Sequence, residues 1–291
     1  MKPRIAVTVG DPAGIGPEIA RAAASDERVK AACDAVVYAP PDMDRYTSGV
    51  LSPEAGRAAY EVIVRAVEDA LAGRVAAIAT GPVSKEAFAL AGFPWRGHTD
   101  LLAHLTGATD VAMLFYSPSL IVALATVHVA LAEVPSAVTF ERVRSVVRLT
   151  AGAMPRFGIR KPRLAVAGLN PHAGEHGLMG KEEDAVIGPA IAACREGGID
   201  VRGPFPADTL FVRASRGEFD AVVACYHDQG LIPVKLAAFG RSVNVTLGLP
   251  IVRTSVDHGT AFDMAGRGVA DPGSMIEAVL LASRLARRDG S

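Results

Sequence analysis

Apolar positions along the chain alternate between short continuous runs and longer stretches with helical spacing. The runs at 4–9, 34–39, 75–79, 111–116, 120–127, 163–169, 220–225, 242–247 and 251–256 are bounded by glycine, proline or polar residues, the mark of buried strands. Ser52 followed by Pro53 predicts a capped helix to about Gly73, with Tyr60, Ile63, Val64, Val67 and Leu71 on its buried face. Thr139 opens another, with Val143, Val146, Val147, Thr150 and Met154 along one side. Further helices are expected near Pro17, over 101–105 with His104 as a structural member, over 181–196, and from about Ser274. Ser117-Pro118-Ser119 reads as a hairpin-like turn, and 203–209 as a loop into a short helix. Strands alternating with helices imply an α/β protein whose sheet is mainly parallel and covered on both faces. Two such sheets with a cleft between them suit the length of 291 residues.

Candidate chemistry collects where the runs end. The run 120–127 leads into His128, and 164–169 leads into Asn170-Pro171-His172-Ala173-Gly174-Glu175. The run 220–225 leads into Tyr226-His227-Asp228-Gln229-Gly230. Ligands of open α/β sheets bind beyond the carboxyl ends of the strands, so three histidines delivered there point to one metal or catalytic cluster. Asp228 is placed to orient an imidazole or simply to cap a helix. The first strand ends in Gly10-Asp11-Pro12-Ala13-Gly14-Ile15-Gly16-Pro17-Glu18. That turn either meets an anion with its backbone N–H groups or needs glycine only for positive φ. Its spacing is not G-x-G-x-x-G, which excludes a Rossmann reading. In Gly97-His98-Thr99-Asp100, Thr99 or Asp100 is placed to cap a helix, or His98 to hold an anion beside the positive helix end.

A formal net charge of −1 without a long basic run argues against nucleic acid as a partner, while a small anion needs only a few local cations. Three cysteines without CxxC spacing fit a reduced compartment. The apolar part of the amino terminus is too short for a signal peptide, and 120–134 is interrupted by His128 and Glu133 and too short to span a bilayer. A soluble cytoplasmic protein with no membrane contact is the expectation.

Seven motifs in order extend the picture: 10–18, Gly97-His98-Thr99, 170–175, Pro206-Ala207-Asp208-Thr209, 226–230, Val243-Asn244-Val245-Thr246-Leu247-Gly248-Leu249-Pro250, and Arg253-Thr254-Ser255-Val256-Asp257-His258-Gly259-Thr260. Together they closely resemble the 4-hydroxythreonine-4-phosphate dehydrogenase family of vitamin B6 biosynthesis, over nearly the whole chain. The resemblance implies the fold of isocitrate and isopropylmalate dehydrogenases. Two α/β/α domains would comprise 1–110 with 248–291, and 111–247, the second carrying the metal histidines and the contacts of an obligate homodimer. It implies NAD- or NADP-dependent, metal-assisted oxidation and decarboxylation of 4-phosphohydroxy-L-threonine to 3-amino-2-oxopropyl phosphate.

By the same resemblance, His128, His172 and His227 match metal ligands in an active site shared across the dimer. His98, Thr99, Lys235, Asn244 and Arg253 match substrate-binding positions. The segment carrying His258, Gly259, Thr260, Asp263, Ala265 and Gly266 looks like the adenosine-binding loop of isopropylmalate dehydrogenases. Asp228, Asp208 and Lys235 are the candidate catalytic groups. Imidazole ligands suit zinc, cobalt or nickel, zinc first, with magnesium or manganese as alternatives. Relatives of the same pattern act on phosphorylated threonate or erythronate or on a cis-dihydrodiol of terephthalate. The chain departs from the family in being tens of residues shorter between Ala39 and Pro53. An acyl-phosphate transferase on a related fold is the competing class, and it predicts neither metal nor nicotinamide binding.

Overall fold

The computed structural model describes residues 2–238 and 240–287. In chain order, β1 (Arg4–Thr8) is followed by α1 (Gly16–Ser25), α2 (Glu27–Ala32), β2 (Asp34–Tyr38), α3 (Pro53–Leu71), β3 (Ala77–Thr80), α4 (Lys85–Leu90) and α5 (His98–Thr106). Then come β4 (Ala112–Tyr116), β5 (Ile121–Leu124), α6 (Val134–Ala137), α7 (Phe140–Ala153), β6 (Leu164–Ala167), α8 (Gly188–Glu196), β7 (Val201–Phe205), α9 (Ala207–Ser215), β8 (Ala221–Ala224) and α10 (His227–Ala238). The chain closes with β9 (Val243–Leu247), β10 (Arg253–Ser255) and α11 (Gly273–Ala286). Two compact units result, Met1–Thr109 with Val243–Ser291, and Asp110–Ser242. Residues 243–247, expected in the second domain, thus belong to the first unit. The reason is pairing: β9 lies antiparallel on β10, with Thr254 opposite Val245 and Ser255 opposite Asn244.

In the first unit the strand order is β2-β1-β3-β10-β9, parallel except for the last pair. The helix α3 forms as its sequence predicts at the start: Ser52 Oγ accepts the Ala55 N–H at 3.1 Å and Pro53 occupies the first turn. Its buried stripe is Ala55, Ala59, Val62, Ile63, Ala66 and Val67, so small alanines complete the face and Leu71 is left exposed. This stripe packs with Phe88, Leu101 and Leu102 into the unit's core.

In the second unit the order is β4-β5-β8-β6-β7. β4 and β5 form the expected antiparallel hairpin, and the other neighbours are parallel. β7 and α10 are departures from the sequence reading. Gly203, Pro204 and Pro206 read as loop residues, yet proline is tolerated where a strand has one neighbour, and β7 pairs only with β6 among the described strands. In α10, Pro233 forfeits one intrahelical bond and Gly230 weakens the helical pattern, which hides the element from a periodicity reading. Gly230 is there for contact. A Cβ at this position would lie 2.6 Å from Leu124 Cδ2 and 2.9 Å from Val122 Cγ1, so only glycine lets α10 settle on β5. Leu231 and Val234 on the same helix join Phe115, Val122, Leu124 and Val222 in the core. Among the described residues no helix is long and apolar enough to cross a membrane.

Gly230→Ala is expected to destabilise the protein by about 1–3 kcal/mol, the usual cost of forcing a methyl into a packed core. Thermal melting reads this directly, and an unchanged melting temperature would contradict the close packing of α10 on β5.

Candidate active site

The first unit encloses a cation. Arg253, 2 % exposed on β10, donates from Nε at 3.2 Å and Nη2 at 2.7 Å to Thr80 Oγ1, and from Nη1 at 2.9 Å to Thr246 Oγ1. Two hydroxyls position the guanidinium without neutralising it. Burial pushes Arg253 down to about 9, which leaves it cationic at neutral pH, and among the described residues no carboxylate pairs with it. Asn244 is two residues from Thr246 on β9, hence on the same face of the strand. Its Oδ1 is buried without a partner, and so is Nε2 of His98. Burial first, and the nearby positive charge of Arg253 second, hold His98 well below the usual histidine range, so it is neutral. His98 and Thr99 stand in the first turn of α5, whose N-cap is Gly97 without a side-chain cap bond. Neither Thr99 nor Asp100 therefore supplies the expected cap. His104 tilts against Trp95 at 4.5 Å between ring centroids, a structural contact.

The glycine-rich turn of the same unit is bound to the segment that follows β10. Ile15 N–H donates to the Thr260 carbonyl at 3.0 Å, and Gly266 N–H donates to Glu18 Oε1 at 3.3 Å. Gly16 is obligatory at the turn, because a Cβ there would lie 1.7 Å from the Val9 carbonyl oxygen. His258 turns Nδ1 to the Gly259 carbonyl at 3.0 Å, while its Nε2 is buried and partnerless. Gly259, Asp263 and Gly266 are exposed, and Ala265 is buried. Asp11 adds a buried carboxyl. Its Oδ1 accepts the Ala13 N–H at 2.9 Å, its Oδ2 has no partner, and burial raises its affinity for a proton.

In the second unit, His128 and His227 stand with ring centroids 5.7 Å apart. Two imidazoles on one tetrahedral zinc, with Zn–N bonds near 2.0–2.1 Å, place their centroids roughly 5 Å apart, so this pair fits a shared divalent ion. His227 Nδ1 lies 2.7 Å from Asp228 Oδ1. A carboxylate only accepts, so this contact puts the proton on Nδ1 and leaves the Nε2 lone pair free of it. His172 lies in the loop after β6 with φ 53° and is not gathered with the other two. Among the described residues no three His, Cys, Asp or Glu side chains of one chain converge to hold a metal. Lys235 is half-buried on α10, seven residues beyond Asp228 and so on the same side of the helix. Asp208 is exposed in the first turn of α9. The second unit also exposes Leu178, Ile232 and Leu236, at 82 %, 65 % and 88 %.

The family model of the pyridoxal phosphate biosynthetic protein PdxA matches residues 10–282. The chain belongs to this family. A 4-hydroxythreonine-4-phosphate dehydrogenase of Geobacter metallireducens is 44 % identical over 330 aligned positions, covering 100 % of this chain and 97 % of that protein. A D-threonate 4-phosphate dehydrogenase of Pectobacterium atrosepticum is 41 % identical over 322, covering 97 % and 99 %. The crystal structure of 4-hydroxythreonine-4-phosphate dehydrogenase from Klebsiella pneumoniae superposes with a TM-score of 0.90 at 41 % identity, covering 99 % of both chains. An isocitrate dehydrogenase of Methylococcus capsulatus, at 18 % identity and a TM-score of 0.52 over 96 % of this chain and 84 % of that one, shares the fold. The 330 positions aligned to the Geobacter enzyme exceed the 291 residues here by 39, so this PdxA-family chain is the shorter one.

Thr80 and Thr246, which hold Arg253, and buried Asp11 are not singled out by the sequence alone. The two threonines carried a signal: Thr80 ends an apolar strand, and Thr246 shares a strand face with Asn244. Replacing Arg253 tests the role of the enclosed charge. Arg253→Met is expected to melt at or above the wild-type temperature, because an unpaired buried charge has been removed. It should also lose the rise in melting temperature that millimolar inorganic phosphate gives the wild type by linkage. A phosphate-induced rise that survives the substitution would contradict the assignment of Arg253 as the anion contact.

Proposed function

We propose that this protein is a nicotinamide-dependent, metal-assisted dehydrogenase that oxidises the secondary alcohol of 4-phosphohydroxy-L-threonine. Hydride passes to NAD or NADP and a proton is released. The resulting β-keto acid loses CO2 to give 3-amino-2-oxopropyl phosphate, in vitamin B6 biosynthesis in the cytoplasm. The observation that carries this reading is Arg253, a buried guanidinium held by two threonine hydroxyls with no carboxylate among the described residues to balance it. A bound phosphate supplies the missing anion through bidentate contacts that Arg is suited to make. Neutral His98, Thr99 and Asn244 offer uncharged hydrogen-bonding groups to the same ligand, and Lys235 offers a point charge.

In the second unit, His128 and His227 hold a divalent ion, zinc in preference to magnesium, cobalt or manganese, and His172 contributes from a second copy of the chain. When bound, the ion supplies Lewis-acid polarisation of the substrate oxygen. Asp228 fixes the His227 tautomer. Asp228, Asp208 and Lys235 are the groups available to move the hydroxyl proton. The exposed Leu178, near His172, and Ile232 and Leu236, on the helix that begins with His227, give a second copy an apolar surface to cover, which supports a homodimer. The segment His258, Gly259, Thr260, Asp263, Ala265 and Gly266, tied to the glycine-rich turn, holds the adenosine of the cofactor. Phosphorylated D-threonate or D-erythronate is the second reading, and the 41 % identity to the Pectobacterium enzyme favours keeping it. Both readings share the phosphate and differ in the amino group.

NADH formation measured with 4-phosphohydroxy-L-threonine and, separately, 4-phospho-D-threonate tests the assignment. Turnover of the amino acid that stops on adding EDTA is the expected outcome. Turnover of the threonate alone would transfer the protein to the second reading. Turnover of neither, without nicotinamide binding, would overturn the dehydrogenase assignment.

A further inference from the structure

In the second unit the strands that deliver the three candidate histidines are neighbours, β5, β8 and β6 in that order. Backbone pairing between β8 and β6 ends at Val223 opposite Val166. Beyond that point a side chain takes over. Gln229 Oε1 accepts the Cys225 N–H at 2.7 Å, and Gln229 Nε2 donates to the Gly168 carbonyl at 2.7 Å. A carboxamide carries one acceptor and one donor face on a planar unit, as a peptide does, so it can fill the gap in the ladder. On the other side of β8, Thr126 donates to the Cys225 carbonyl from N–H at 3.1 Å and from Oγ1 at 2.8 Å. The Cys225 thiol reaches the Ala167 carbonyl at 3.3 Å.

The strand exit that Gln229 fastens leads into a strained loop. His172, Ala173, Glu175 and His176 have φ of 53°, 54°, 43° and 55°, a left-handed conformation that residues with a Cβ keep only when their surroundings hold them. Buried Glu183 holds one part of it, Oε1 accepting the Asn170 N–H at 2.7 Å and Oε2 accepting Asn170 Nδ2 at 2.9 Å. Gln229 holds the strand exit before it, and does so from the first turn of the helix that His227 opens.

We propose that Gln229 is a positioning residue whose carboxamide stands in for the missing peptide pairing between β8 and β6, and so fixes the His172 loop, which serves the metal site of a second copy, relative to the His227 turn, which serves its own. The metal part rests on the function proposed above. Its conservative test is Gln229→Glu, which keeps the acceptor for Cys225 and loses the donor to Gly168, and Gln229→Met removes both. Zinc affinity of the metal-free full-length protein is measured by competition with a chromophoric chelator. Hydrogen exchange is followed in the same metal-free samples.

Both variants are expected to bind zinc roughly 10–100-fold more weakly, the usual loss on removing a group that orients a ligand, with kcat restored by excess zinc. Exchange should quicken at 168–176 and 225–229 together. Wild-type zinc affinity in a folded variant, or faster exchange confined to 225–229, would overturn the proposal. A lowered melting temperature with unchanged zinc affinity counts against it too. If the wild type itself binds no zinc and His128→Ala changes nothing, the metal reading fails. The exchange result then decides the clamp alone: joint quickening supports it, and its absence overturns it.

Discussion

A guanidinium removed from water, with no carboxylate beside it among the described residues, sets a large desolvation cost in the first unit. Desolvating one charge costs several kcal/mol, even after the protein relaxes around it. Hydroxyl contacts recover part of that, and Arg253 receives three of them from Thr80 and Thr246. A carboxylate neighbour would recover more, and among the described residues none pairs with it. His98 beside it is kept neutral, so it neither offsets nor adds to the charge. Asn244 and His98 each keep a buried polar atom unused. Such an arrangement is short of one anion, and a phosphate ester meets that need better than a neutral ligand.

The second unit solves a different problem, that of holding imidazoles where regular backbone pairing has ended. His128 and His227 follow adjacent strands, and their rings stand 5.7 Å apart. His172 emerges one strand further, on a left-handed loop that glutamate and asparagine side chains stiffen from within. Polar side chains thus continue the sheet's order for a few residues past its edge. Rigidity of this kind is what a metal site needs from its surroundings, since ligand geometry is set by the groups behind the ligands.

Much of this was legible in the sequence because it rests on local rules. Ser52-Pro53 announced α3, and Thr139 announced α7, whose cap accepts the Arg142 N–H at 3.2 Å. The 120–127 and 220–225 runs announced strands whose ends bear histidine. What stayed hidden depends on tertiary context. β7 is a strand despite Pro204 because its outer edge needs no donor, and α10 is a helix despite Pro233 because Leu231 and Val234 bury against the sheet. The placement of β9 in the first unit follows from its pairing with β10, which no run of apolar residues reveals. The counter-ion deficit at Arg253 was equally invisible, since a lone arginine in a sequence reads as a surface charge until its neighbours are known.

On the reading proposed here, the enclosed charge of Arg253 recognises a phosphate ester. Comparing kcat/KM for 4-phosphohydroxy-L-threonine with that for unphosphorylated 4-hydroxy-L-threonine tests it most directly. Loss of charge-assisted bonds of about 1.5–3 kcal/mol each predicts a fall of roughly ten- to several-hundred-fold or more without the phosphate. Equal values for the two compounds would contradict the account and leave the buried guanidinium without a function.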